Sequence, residues 1–195
     1  MKKVCITIFA AVSTMAACAQ VQFGVKAGLN LSTLNYSGPD SGSPAYKTSF
    51  NAGAFASIPL FTSFYLQPEM MYSGQGFEET IFGQPTQFET GYLNVPVLFK
   101  YQHETGLFAE TGPQVGFLLS AKNNVAGISY DVKSSYETTD FSWALGIGYQ
   151  FTGIGLGIDA RYNLGLTNIA KESQNGTYKN SVFQLGLFYA FNFNK

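Results

Sequence analysis

Ionisable side chains are scarce in this chain: Asp, Glu, Lys and Arg make up 12% of its 195 residues, against about 25% in ordinary globular proteins. A surface built from so few charges does not meet water everywhere. Cysteine is nearly missing. Cys5 and Cys18 are the two present, both before residue 20, so the rest of the chain has no disulfide framework. One histidine, His103, leaves few donors for a metal, which wants clustered His, Cys or carboxylates. No run of about 18 apolar residues occurs beyond the N-terminus, which excludes a spanning helix. The formal net charge of −1 supplies no basic surplus for nucleic acid.

What is present begins with MKKVCITIFAAVSTMAACAQ. Lys2 and Lys3, an apolar run and Ala17-Cys18-Ala19 have the layout of a secretory signal with an A-x-A site. The expectation is a signal over 1–19, cut after Ala19, and one domain over 20–195. A rival reading makes Cys18 a lipid-bearing first residue.

The segment FGVKAGLNLSTL, from Phe23, alternates apolar Phe23, Val25, Ala27, Leu29 and Leu31 with Gly24, Lys26, Gly28, Asn30 and Ser32. Such a period of two marks a strand with unlike faces. It recurs in FNAGAFASI, FYLQPEMMYS, YLNVPVLFKY, LFAETGPQVGFLLS, FSWALGIGYQF, LGIDARYNLGL and VFQLGLFYAFNF. That makes eight strands of roughly ten residues or more, about what a tilted strand needs to cross a hydrocarbon core. The spacers alternate as well. Long ones lie after Leu31, near Ser73 to Thr90, near Ala121 to Asp140 and near Asn168 to Ser181; short ones lie around Pro59 to Ser63, at QHET and at Thr152-Gly153. Short periplasmic turns and long outer loops are the arrangement of an antiparallel, up-and-down transmembrane β-barrel. An even strand number puts both termini on the periplasmic side.

The apolar face carries no Lys, Arg, Asp or Glu in any of the eight strands. The other face carries Lys26, Glu69, Lys100, Glu110, Asp159 and Arg161. A lipid-facing Lys or Arg near the bilayer midplane costs about 2–4 kcal/mol, so the apolar face is read as lipid-facing and the charged one as the lumen. The second face is also too glycine-rich and too poor in charge to be a soluble barrel's exterior. Three charges of each sign imply a pairing network, because an unpaired buried charge is costly. Eight strands leave an interior just wide enough for side chains, which favours a plugged barrel over an ion or solute pathway. Tyr72, Tyr101, Trp143, Tyr149, Tyr162 and Tyr189 fall on the outer face, as candidates for aromatic belts at the headgroups. Pro68, Pro96 and Pro113 resist the scheme, since a mid-sheet proline deletes a ladder bond; bulges there would absorb the cost.

At these residues a resemblance emerges. GVKAGLNLS, LQPEMMYSGQG, YLNVPVLFKY, ETGPQVGFLLSAK and DARYNLGLTNI, in that order, resemble the recurring blocks of the PorT-like outer-membrane β-barrel family of Gram-negative bacteria. The resemblance implies an eight-stranded barrel surrounded by outer-membrane lipid. The last strand, with Tyr189, Phe191 and Phe193, resembles an assembly signal read by the barrel-insertion machinery, although Asn194 and Lys195 follow the final Phe. Such membership implies no single activity; PorT itself is linked to a secretion system.

Little chemistry is on offer. His103 lies in a short turn at the wrong end for a lipid hydrolase. Glu69 and Glu110 could form a carboxylate pair, but neutralisation by Lys100 or Arg161 is simpler. GIGLGIDA has glycines but no helix after them, so it is not a phosphate loop. The expectation is a monomeric, non-enzymatic barrel without cofactor, in a structural or interaction role. A narrow channel or solute binder, and a subunit of an envelope secretion complex, are the alternatives.

Overall fold

The computed structural model describes residues 21–37, 45–81, 84–125, 127–151, 153–171 and 176–191. The predicted leader and Phe193 lie outside these residues. The strands are β1 (Gln22–Ser37), β2 (Ala45–Phe61), β3 (Phe64–Ile81), β4 (Gln84–Gln102), β5 (Leu107–Val125), β6 (Ile128–Asp131), β7 (Thr139–Gln150), β8 (Leu156–Gly165) and β9 (Thr177–Ala190). Eight of them close a barrel in the order β4-β3-β2-β1-β9-β8-β7-β5, with β4 returning to β5. Every pairing is antiparallel. The first and last strands seal it through an unbroken register from Gly24↔Ala190 to Ser37↔Thr177. Short β6 is a hairpin partner of the far end of β5.

The two ends differ as expected, but not where expected. At the end where β1 starts and β9 stops, the terminus end of the described chain, turns are tight. Gly106 and Gly155 adopt φ of +97° and +74°, a region L side chains avoid, and an added Cβ would meet the Gln150 carbonyl at 2.1 Å or the Ala190 carbonyl at 2.3 Å. At the opposite end the Ser73–Thr90 stretch is not a loop. β3 and β4 run on as a ladder through Gly74↔Gly91 to Ile81↔Gln84. Likewise β1 continues to Ser37 and β5 to Val125. The wall therefore stands higher at this end than the hydrophobic alternation does.

The prolines correct a second expectation. No bulge sits at Pro68, Pro96 or Pro113; the register irregularities fall between Tyr46 and Asn51, between Pro59 and Phe61, and between Gly91 and Tyr92. Instead each proline leaves one gap in one ladder without changing its register. The β2–β3 ladder skips from Phe55↔Glu69 to Ile58↔Leu66 beside Pro68. The β3–β4 ladder skips from Pro68↔Val97 to Met71↔Asn94 beside Pro96. The β4–β5 ladder skips from Pro96↔Gln114 to Phe99↔Thr111 beside Pro113. A missing N–H removes its own bond, and the long flanking ladders hold the strands in step.

Burial is inverted relative to a water-soluble protein. Phe23, Val25 and Leu29 are 52%, 46% and 58% exposed, whereas Lys26, Asn30 and Ser32 on the same strand are buried. Around the wall, Leu145, Ile147, Leu185 and Leu187 face out, while Glu69, Lys100, Glu110, Asp159 and Arg161 face in. Polar atoms on the outer wall are bonded locally: Trp143 Nε1 donates to Thr111 Oγ1 at 2.9 Å, and the Tyr162 and Ser181 hydroxyls lie 2.6 Å apart.

Candidate functional site

The interior is built in layers. Nearest the termini, the rings of Phe55, Phe108 and Phe188 form a buried cluster with Ala190. Phe188 meets Phe55 and Phe108 edge-on, at centroid distances of 5.9 and 5.8 Å. Each ring lies over a glycine directly across its strand pair: Phe55 on Gly24, Phe108 on Gly148 and Phe188 on Gly157. Cβ atoms at those glycines would approach the rings to 2.2, 2.3 and 2.1 Å, so the glycines are what let three phenylalanines share the lumen.

Above this plug lies a belt of charges. Arg161, from β8, reaches Glu69 on β3 and Glu110 on β5 together. Its Nη1 and Nη2 donate to the two Glu69 oxygens at 2.7 and 2.8 Å, and its Nε and Nη2 donate to Glu110 Oε1 at 2.9 and 2.5 Å. The planar guanidinium fork suits two carboxylates at once. Gln67 Nε2 donates to Glu69 Oε1 at 2.8 Å. Lys26 of β1 pairs with Asp159 of β8 over Gly186 of the intervening β9. Lys100 is register partner to Glu110, yet its Nζ sits 3.9 Å over the Phe108 ring and 3.4 Å from Gln67 Oε1. Arg161, rather than Lys100, thus takes up both glutamates. All six sequence-designated charges come into one belt, three of each sign.

A polar layer follows, centred on Asn30. Its Nδ2 donates to Ser73 Oγ and the Gly74 carbonyl, while its Oδ1 accepts from Asn51 and Gln184. Higher still, Asp140 accepts from Thr167 Oγ1 and Asn180 Nδ2, both at 2.7 Å. A second apolar cluster of Phe88, Tyr92, Leu118 and Ala121 covers these layers, with Phe77, Val132 and Tyr136 packed on it. Asp140, Phe88 and Ala121 lie in stretches the sequence reads as loop, whereas Tyr92 and Leu118 fall on the inward parity of the expected strands without being singled out. The three plug phenylalanines do fall on the inward parity, and the facing glycines were the available signal.

The aromatic candidates divide by height. Tyr101, Tyr149 and Tyr189 gather at the terminus end, beside Phe64, Phe151 and Phe191. Tyr72, Trp143 and Tyr162 lie further along their strands on the same outer wall. Phe191 follows β9, with its backbone N–H bonded to the Phe23 carbonyl at 2.7 Å. His103 is exposed in a terminus-end turn, 3.0 Å from Thr105 Oγ1. Among the described residues no group of three or more His, Cys, Asp or Glu side chains converges to hold a metal.

A family model described as "Outer membrane protein beta-barrel domain" matches residues 13–171. No curated protein matches the chain. Among solved structures, Neisserial surface protein A shares 14% identity over 87% of this chain and 97% of its own, with a TM-score of 0.60. Ail, the attachment invasion locus protein of Yersinia pestis, shares 19% identity over 88% of this chain and 99% of its own, with a TM-score of 0.49. At such identities the likeness to Neisserial surface protein A speaks for the fold alone.

Proposed function

Because this chain belongs to the outer membrane protein β-barrel domain family, we propose that it is a plugged outer-membrane anchor with a structural or interaction role. The observation that carries this reading is double closure. The lumen is filled by Phe55, Phe108 and Phe188 below and by Phe88, Tyr92 and Leu118 above, with a neutral belt between them. A closed barrel has no conduction to offer, so its work falls to the high wall opposite the termini. In this reading that wall faces outward, both termini are periplasmic, and the barrel is a monomer in outer-membrane lipid.

The finer features belong to the same proposal. Residues 1–19 are the secretory signal. Tyr189, Phe191 and Phe193 are the mark read by the insertion machinery. The six outer aromatics sit at the two headgroup regions. Narrower kinship with PorT-like barrels rests on the ordered blocks alone, and service as a subunit of a secretion complex on that kinship.

One observation favours a second reading, a narrow channel or solute-binding lumen. The buried Asn163 amide, Gln75 Oε1 and Thr90 Oγ1 have no protein partner, and such atoms ordinarily bind water. Planar-bilayer recording of the native barrel separates the two. The expected trace is silent; reproducible, ion-selective openings would transfer the function to the lumen.

Outer-wall polarity is testable separately. Leu145, 54% exposed and mid-strand in β7, should tolerate polar replacement poorly. Leu145→Arg is expected to cost about 2–4 kcal/mol in urea titrations of the barrel in lipid vesicles. In a barrel with a water-facing exterior the cost would stay within about 0.5 kcal/mol.

A further inference from the structure

A cavity of about 530 Å³ opens at the mouth opposite the termini, above the second plug. Leu34, Phe77 and Tyr178 form its walls, from the inner faces of β1, β3 and β9. Its roof is the segment Ser134–Tyr136 and the residues Ala170 and Lys171. The roof is fixed in place. Tyr136 bridges to Ala170, the Glu137 N–H bonds the Ile169 carbonyl at 2.8 Å, and the Lys171 N–H bonds the Ser135 carbonyl at 3.2 Å. Tyr136 also packs on Phe88 at 4.8 Å, and Tyr178 stacks on Tyr36 at 4.7 Å. This is a preformed concavity in the size range of small-ligand sites.

Its lining is chemically selective. Rings of Phe77, Tyr136 and Tyr178 offer flat apolar faces, and the exposed Ser134 and Ser135 offer hydroxyls. Among the described lining residues Lys171 is the only charged one. Its Nζ donates to the Ser134 carbonyl at 3.0 Å, which orients the ammonium and leaves two of its three hydrogens for a ligand. Among the described lining residues there is no carboxylate, so they offer a cation no counter-charge. A purely apolar guest would strand the ammonium and the hydroxyls. The chemistry that answers every surface is a ring with an apolar face, hydroxyls at its edge and one carboxylate.

We propose that this vestibule is a binding site for a single acidic sugar residue of the uronic acid class. The carboxylate meets Lys171, the ring lies against Tyr178 and Phe77, and the sugar hydroxyls exchange hydrogen bonds with Ser134 and Ser135. The inference rests on the closed-lumen reading, since a dead-ended vestibule retains a ligand that an open pore would pass on.

Saturation-transfer NMR on the full barrel folded in detergent, with D-glucuronate as probe, tests it. Transfer to the ring protons is expected, with D-glucose at least about 10-fold weaker, the share of a charged hydrogen bond. Lys171→Gln should weaken glucuronate by a similar factor, and Tyr178→Leu should reduce ring-proton transfer. Lys133→Gln, outside the lining, should change neither. A heat-shifted band on gels certifies that each variant is folded. Absence of transfer from glucuronate, or transfer unchanged in Lys171→Gln, overturns the proposal, as does binding of benzoate in preference to glucuronate. Bilayer recording on the same preparation keeps the two readings apart. A silent barrel that ignores glucuronate removes this site only, whereas a conducting one removes the closed lumen whatever the vestibule binds.

Discussion

Replacing Arg161 by methionine is expected to destabilise the barrel by about 3–5 kcal/mol, the cost of leaving buried carboxylates without their partner. Arg161 is 2% exposed and Glu69 and Glu110 are 3% and 4% exposed, so water cannot readily replace the guanidinium. Four hydrogen bonds that tie β8 to β3 and β5 disappear together. The conclusive arm is the background. In Glu69→Gln, Glu110→Gln protein the same Arg161→Met change removes a cation that no longer has carboxylates to answer, and the triple variant should regain most of the loss. Urea unfolding in micelles, followed by tryptophan emission, gives both values. Equal losses in the two backgrounds would mean that Arg161 acts by volume and not by charge.

The second large effect lies in the lower plug. Phe108→Ala is expected to cost about 3–5 kcal/mol, as for other buried rings truncated to alanine, since Phe108 is 3% exposed and supports both Phe188 and the Lys100 ammonium. Gly157→Ala should produce a loss of the same kind without removing any ring, because its methyl would enter the Phe188 ring edge at 2.1 Å. The two changes act on one cluster, so the double variant should lose less than the sum of the single losses. Strict additivity in urea titrations would show that the three rings do not pack as a unit.

How much of this was legible beforehand follows from what makes a sequence alternate. In β1, lipid on one side and the lumen on the other force Phe23, Val25 and Leu29 apart from Lys26 and Asn30, and the period of two records the strand directly. Beyond the apolar band the outer face turns polar, and the inner face mixes buried Gln75 with the apolar Phe77 of the cap. Gln75, Glu78, Glu79 and Thr80 then carry no alternation, though β3 continues to Ile81; glycines there mimic loop punctuation while serving a ladder. The same loss of contrast hid Asp140 at the start of β7 and the cap residues Phe88 and Ala121. Inward parity identified the belt's members, but not its pairing. Lys100 and Arg161 were equal claimants on the glutamates until strand register fixed their reach: Lys100 lies beside the phenylalanine plug, and Arg161 lies across from Glu69. The prolines misled for another reason. A lone strand would buckle at Pro96, whereas one held in register on both sides gives up only a local bond.

Everything above depends on which side of the wall meets acyl chains, and the chain carries its own probe. Trp143 is the sole tryptophan, 42% exposed on the outer face, with its indole N–H satisfied by Thr111. The measurement is Trp143 fluorescence of the barrel in vesicles of dibrominated phosphatidylcholine, set against quenching by aqueous acrylamide. A lipid-facing indole predicts strong quenching by the bromines and little by acrylamide. Efficient acrylamide quenching with bright emission in the brominated lipid would place that face in water and contradict the inverted barrel.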